Sequence, residues 1–284
     1  MINSNFICYN GDFIKAENFK ISPKNRAFNY GDGIFETIRA NNTEPLFYDD
    51  HITRLKKGLD ILELVPPNNF DYINLKGKII RLLNANKHFK AARIRLTFYR
   101  KEGGLYTPDK NEFEYLIESD KINNELYTIN QKGLVVDIYP YISKPINILS
   151  NCKTLNSLLF IKAGLYKNHK NIDDCIILNE KNHIVESICS NIFLVKKNKI
   201  YTPSLSEGCI EGVMRKQIIS IAKTINLVVY DDGYMTADDL FLADELFLTN
   251  AINGIQWAAG YKQKRYYNTT VIEIMKKLNK LLIN

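Results

Sequence analysis

Cysteine and histidine are too few and too scattered here to suggest a metal centre or a disulfide scaffold. The five cysteines, Cys8, Cys152, Cys175, Cys189 and Cys209, form no Cys-x-x-Cys pair, and His51, His88, His169 and His183 show no ligand spacing. No metal is expected, and the cysteines read as small apolar fillers. No apolar run approaches membrane-spanning length, and Met1-Ile2-Asn3-Ser4-Asn5 lacks a basic region followed by a long apolar core. The reading is therefore no membrane partner, no export signal and a cytoplasmic protein. Repeats and low-complexity segments are missing too.

Arginine is also scarce: of 38 basic residues nine are arginine and 29 lysine. The net charge of +7 is thus a diffuse lysine surplus. Its one dense stretch near an end, Lys276-Lys277-Leu278-Asn279-Lys280, reads as the solvated face of a terminal helix, so no nucleic-acid partner is expected. Each position that keeps an arginine becomes more informative, because the planar fork suits phosphate and carboxylate in a way that lysine does not.

What is present is a patterned, 45% hydrophobic chain of 284 residues, enough for one large or two modest domains with real cores. Strands are expected at Phe6 to Tyr9, Ile34 to Arg39, around Ile94, Leu96 and Phe98, and at Phe113 to Glu118. Asp49-Asp50 should cap a helix carrying Ile52, Leu55, Leu59 and Leu62, stopped by Pro66-Pro67. A second helix spans Phe70 to Asn86. The segment from Ser119 to Gln131 turns polar, which divides the chain into a small N-terminal α/β domain (1–120), a connection (121–131) and a larger C-terminal domain (132–284). There the pattern gives strands at Leu134 to Tyr139, Cys175 to Leu178, Asn191 to Lys196 and Glu245 to Thr249. It gives helices at Thr154 to Tyr166, Val213 to Asn226 and Thr270 to Leu282. The fold class is mixed α/β.

Lys153 lies in Asn151-Cys152-Lys153-Thr154-Leu155-Asn156-Ser157-Leu158, among mostly apolar neighbours, and Glu186 follows 33 residues later in Glu186-Ser187-Ile188-Cys189-Ser190-Asn191. An amine that condenses with an aldehyde must be neutral part of the time, which burial favours, and an acid can protonate a cofactor ring. From this segment alone a surface lysine beginning a helix is the better reading. Five further segments have the composition of a site. Asn29-Tyr30-Gly31-Asp32-Gly33-Ile34-Phe35 puts two glycines in a turn before a strand, where backbone passes close to a ligand or another chain. Arg54 falls in the first turn of the expected helix, where a phosphate would meet guanidinium and backbone donors. Arg100-Lys101-Glu102-Gly103-Gly104-Leu105-Tyr106 looks like a mobile loop after a strand, Glu211-Gly212-Val213-Met214-Arg215 opens a helix, and Thr249-Asn250-Ala251 ends a strand in small polar groups. Each is, alone, as readily structural as functional.

In their order, from about Asn25 to Ile255, these segments resemble the class-IV aminotransferase family, the pyridoxal 5′-phosphate (PLP) enzymes of the D-amino acid and branched-chain aminotransferase fold. The resemblance implies a two-domain fold, PLP as cofactor and a homodimer with shared active sites. It implies that Lys153 is the catalytic lysine that carries the cofactor, that Glu186 pairs with the pyridine nitrogen, and that Ile210 packs on the ring. Arg54, Gly212, Val213, Met214, Thr249 and Asn250 would hold the phosphate. For the substrate it points to Tyr30, Phe35, Arg95, Arg100 and Leu105. The D-amino acid enzymes' carboxylate trap is replaced here by Phe35, Leu105 and Thr107, and the first and last motifs differ from the usual branched-chain pattern. Phe35-Glu36-Thr37, the arginine before Gly103-Gly104, and Asn250-Ala251 are more similar to the family's 4-amino-4-deoxychorismate lyases, although Leu105 stands where enteric lyases carry an arginine. The implied activity is that lyase, with transamination of a branched-chain or other small amino acid as the alternative. A non-catalytic PLP-binding regulator is a third possibility.

Overall fold

The computed structural model describes residues 5–283; residues 1–4, which the export-signal reading concerns, and residue 284 lie outside it. The described residues form two compact units, one running to residue 125 and including 152–156, the other made of 126–151 and the residues from 157 on.

The first unit contains β1 (Phe6–Tyr9), β2 (Asp12–Lys15), α1 (Arg26–Tyr30), β3 (Gly33–Asn41), β4 (Glu44–Pro45), α2 (Tyr48–Ile61), α3 (Tyr72–Ala85), β5 (Ala91–Arg100) and β6 (Phe113–Ile122). Its six strands form an antiparallel sheet in the order β2-β1-β6-β5-β3-β4. Alternation along β3 and β5 sends Ile34, Ile38, Ile94, Leu96 and Phe98 into a core shared with Leu55, Leu59, Leu75 and Ile79 of the two long helices. Burying each such side chain contributes about 1.5–3 kcal/mol. Helix α2 comes so close to β3 that a Cβ on Gly58 would lie 2.0 Å from Ile34 Cδ1. Asp49 and Asp50 do not cap this helix: Phe47, in the left-handed region with φ 53°, is the N-cap, and the aspartates occupy the first turn, where their charge suits the helix dipole.

The second unit contains β7 (Leu134–Ile138), α4 (Leu158–Lys170), β8 (Asp174–Leu178), β9 (Ile184–Ser187), β10 (Asn191–Lys196), β11 (Lys199–Tyr201), α5 (Val213–Thr224), β12 (Val228–Tyr230), α6 (Ala237–Leu242), β13 (Glu245–Asn250), β14 (Gly254–Tyr261), β15 (Lys264–Arg265) and α7 (Thr269–Ile283). Its sheet runs β12-β11-β10-β13-β14-β7-β8-β9, with β15 on β14. A further pairing of β9 with β10 closes six of these strands into a ring. β9 and β14 are strands that the sequence pattern left out. Helix α4 begins at Leu158, four residues later than expected, because residues 153–155 are spent on pairing with β3 in the first unit: Phe35 N–H donates to Lys153 O (2.9 Å) and Leu155 N–H to Gly33 O (3.0 Å).

Candidate active site

In the first unit this pairing fixes the backbone of Lys153 along the free edge of β3, beyond the stretch that β4 covers. Gly33 permits it, since a Cβ there would meet Phe98 O at 2.4 Å and Leu155 Cδ1 at 2.8 Å. The half-buried Phe35 ring is flanked by two cations, Lys153 Nζ at 4.3 Å and Arg95 Cζ at 4.0 Å from its centroid. Arg95 reaches it from β5, where it lies opposite Thr37, two residues along the same face as Phe35. Burial lowers the Arg95 pKa without depriving arginine of its charge.

Glu36, the next residue on β3, points to the opposite face and is fully buried. Arg54 donates to it from Nε (2.7 Å) and Nη2 (2.5 Å), and His51 Nδ1 lies 2.7 Å from its Oε2. Burial would raise the Glu36 pKa, but the Arg54 charge and the hydrogen bonds from His51 and Arg54 hold it at about 2. Burial lowers that of His51, so the ring is neutral and donates from Nδ1, while its Nε2 is buried with no hydrogen-bond partner. Arg54 stands in the second turn of α2, not the first, and two of its guanidinium nitrogens are bound to Glu36. Glu36 and His51 are site residues that the motif reading passed over; an acid and a histidine flanking a scarce arginine were the available signal.

Arg100, at the end of β5, is 7% exposed and committed to the protein: Nε to Asp32, Nη1 to Glu63 O and Asn111 Oδ1, Nη2 to Leu62 O. Four of its five N–H donors are thus spent within the protein. The loop that follows is tethered, since Arg26 donates to Gly103 O (3.0 Å), Gly104 O (3.3 Å) and Leu105 O (2.6 Å) and to Asp32 as well. Leu105 is 74% exposed, and Tyr30 packs its ring against Tyr106 with centroids 5.7 Å apart.

In the second unit the remaining residues form one row across the closed ring. Ile177 faces Glu186, Glu186 faces Asn191, Asn191 faces Thr249 and Thr249 faces Ile255. Directly opposed residues share a face, so the row gathers an acid, an amide and a hydroxyl from three different strands, β9, β10 and β13. Glu186, 3% exposed, pairs through Oε1 with Lys144 Nζ and accepts Ile210 N–H at Oε2 (3.0 Å). Asn191 donates to Ile210 O (2.8 Å), so both groups hold the Ile210 backbone. Gly212, the N-cap of α5, must be glycine because a Cβ would lie 1.8 Å from Asn191 Oδ1, and the first-turn N–H groups of Val213 and Met214 have no intrahelical acceptor. Thr249 Oγ1 is buried without a hydrogen-bond partner. Asn250 is largely spent on its own turn, accepting Ile252 N–H and Asn253 N–H and donating to Ser190 Oγ. An orphaned hydroxyl beside a glycine-opened helix start fits a phosphate, and a buried carboxylate fits a protonated ring nitrogen. No cluster of metal-ligating side chains occurs among the described residues, and of the five free cysteines Cys189 is exposed, so it is no core filler.

The sequence model of the family described as amino-transferase class IV matches residues 33–259. The chain is 28% identical over 274 residues to a Methanocaldococcus jannaschii protein provisionally named a branched-chain-amino-acid aminotransferase, covering 96% of this chain and 93% of that one. It is 27% identical over 247 residues to the aminodeoxychorismate lyase of Bacillus subtilis, covering 87% and 83%. The fold superimposes with a TM-score of 0.87 on a branched-chain aminotransferase from Thermoproteus uzoniensis crystallised with norvaline, at 22% identity over 96% and 93% of the two chains.

Proposed function

Because this chain belongs to the class-IV amino-transferase family of PLP-dependent enzymes, we propose that it is a 4-amino-4-deoxychorismate lyase, releasing pyruvate and leaving 4-aminobenzoate, a folate precursor. The observation that carries the chemistry shared by this reading and its alternative is the pair of cations on Phe35: an amine at Lys153 Nζ and a carboxylate anchor at Arg95, 4.3 and 4.0 Å from one ring centroid. When bound, the cofactor ring accepts the electrons left as a bond at the amino-bearing carbon breaks. Glu186 would face its nitrogen, Ile210 its plane, and Thr249 with the N–H groups of Val213 and Met214 its phosphate. Arg54, oriented by Glu36, and Asn250, which follows Thr249 in the chain, would complete the phosphate contacts.

In this assignment Lys153 removes the proton at the amino-bearing carbon, and Arg95 holds a substrate carboxylate so that this proton meets Nζ. The ring C–O bond of the neighbouring enol ether then breaks, which completes an aromatic ring, and the departing enolate takes up a proton, in balance with the one held on Lys153, to become pyruvate. Support for the lyase over other family activities comes from the Phe35-Glu36-Thr37 and Asn250-Ala251 variants and from the Bacillus subtilis relative. A second reading, transamination of a small α-amino acid, is favoured by the single Arg95 anchor, since an α-amino acid needs only one carboxylate contact. Its support also includes the Methanocaldococcus relative. There Lys153 returns the proton instead of completing an elimination. Coupled detection of pyruvate from aminodeoxychorismate, beside a panel of L- and D-amino acids with 2-oxoglutarate, decides between them. Pyruvate release is expected; turnover of an amino acid without pyruvate would replace the lyase by the transaminase, and a bound cofactor without either reaction would favour a regulator. We further propose a cytoplasmic homodimer.

A further inference from the structure

We infer that Lys144 is a positioning residue for the cofactor-facing acid: it holds the Glu186 carboxylate in place before PLP arrives. The inference rests on the assignment of Glu186 to the pyridine nitrogen made above. Its own evidence is the placement of Lys144, which no motif includes.

The backbone of Lys144 is fixed at the end of β8, where its N–H donates to Leu178 O at 2.8 Å and the residue bridges to Asn179. Pro145 follows, which favours the extended conformation that this bridging requires. Ile177, next to Leu178, faces Glu186 across the β8–β9 pair, so the two backbones set the side chains toward each other. The ammonium meets Glu186 Oε1 with both side chains buried, at 8% and 4% exposure, and Nζ lies 5.8 Å from the Phe160 ring centroid. Lysine loses much rotamer freedom when buried, and an isolated buried charge is costly, so such a pair is kept only where each charge satisfies the other. With Ile210 N–H on Oε2, each carboxylate oxygen already has one donor. Each oxygen has two acceptor positions, so a third donor, the protonated ring nitrogen, can be accommodated without displacing Lys144.

A group held this way spends no binding energy on reorganisation when the cofactor enters. Removing Lys144 would leave Glu186 without its countercharge and free to turn. The test compares wild type, Lys144→Met, Lys144→Arg, Glu186→Gln and the double variant Lys144→Met/Glu186→Gln. PLP dissociation constants are read from the visible absorbance of the bound cofactor, alongside thermal unfolding of the cofactor-free chains and kcat against KM on whichever substrate turns over. Expected are a PLP dissociation constant raised about tenfold in Lys144→Met, near wild type in Lys144→Arg, and no further loss on adding Lys144→Met to Glu186→Gln. The kcat should fall with KM little changed. A lowered unfolding temperature with wild-type PLP affinity and kcat would make the pair merely structural and overturn the inference, as would equal loss of affinity in the presence and absence of Glu186. Wild-type PLP affinity and absorbance in Glu186→Gln would instead remove the assigned role of Glu186, and the inference with it. If Lys144→Met fails to fold, Lys144→Gln, which keeps a hydrogen bond without the charge, gives the same reading.

Discussion

A carboxylate as deeply buried as Glu36 persists because Arg54 and His51 supply three donor contacts to its two oxygens. The arrangement makes the first unit sensitive to acid, with a sign that follows from the two groups. The pKa of His51 is lowered by burial from 6.5, so below about pH 6.5 the unfolded chain binds a proton that the folded chain refuses, and stability falls with pH. Glu36, lowered from 4.5 to about 2, adds stability that is present above pH 4.5 and is lost toward pH 2. Urea midpoints measured from pH 7 to pH 5 should therefore fall in the wild type and fall less steeply in His51→Asn, whatever the absolute stability of the variant. Parallel profiles would show that His51 does not titrate on unfolding as described. The scarcity of arginine marks Arg54, and the scarce histidine just before it was a further signal, but nothing in the sequence marks Lys144. The roles of Glu36, His51 and Lys144 come from partners that the fold brings together, α2 onto β3 and the segment beside β8 onto β9, which spacing along the chain does not encode.

At the scale of elements, the amphipathic helices α2, α3, α5 and α7 were legible from period, and so were most strands. Three features were not. β9 is four residues long and entirely buried, and β14 mixes glycine and alanine with its larger residues, so neither shows a clean alternation. The segment after Cys152 reads as the beginning of a helix because Leu155, Leu158 and Leu159 have helical spacing. It is held extended by hydrogen bonds to Gly33 and Phe35, and this long-range pairing overrides the local preference. The third is the glycine loop, expected to be mobile but held by Arg26 through three successive carbonyls. Gly103 (φ 127°) and Gly104 (φ 68°) adopt left-handed conformations that let these carbonyls converge on one guanidinium. Hydrogen bonds to a charged group contribute about 1.5–3 kcal/mol each, and one such loss corresponds to roughly a tenfold change in an opening equilibrium. In Arg26→Met, amide exchange across residues 103–106 should accelerate at least about tenfold. Unchanged exchange would mean that the tether does not restrain the loop.

At the scale of the molecule, α4 presents more apolar surface than a finished exterior requires. Leu158, Ile161 and Leu165 follow one another at steps of three and four and are 77%, 55% and 47% exposed, while the inward face of the helix meets the core through Ala163. Beside this stripe Tyr166, half-buried against the core, packs on Tyr141, 74% exposed, with ring centroids 5.7 Å apart. A contiguous apolar strip of this kind marks an interaction surface more often than a solvated face. Leu158 and Ile161 were among the apolar neighbours of Lys153 that suggested burial in the sequence; the helix instead turns them outward. The proposed homodimer supplies an occupant, because a two-fold axis lets one strip cover its own copy and bury on the order of 800 Å² per chain with the surrounding surface. Sedimentation equilibrium should give the mass of two chains for wild type and of one chain for Leu158→Glu/Ile161→Glu, since two carboxylates placed opposite two others across the axis would be buried and mutually repulsive. A monomeric wild type at micromolar concentration would refute the dimer, while a double variant that stays dimeric would move the interface to another face. If the dimer dissociates and the monomer retains PLP but loses turnover, the neighbouring chain contributes to the reaction and not to cofactor retention.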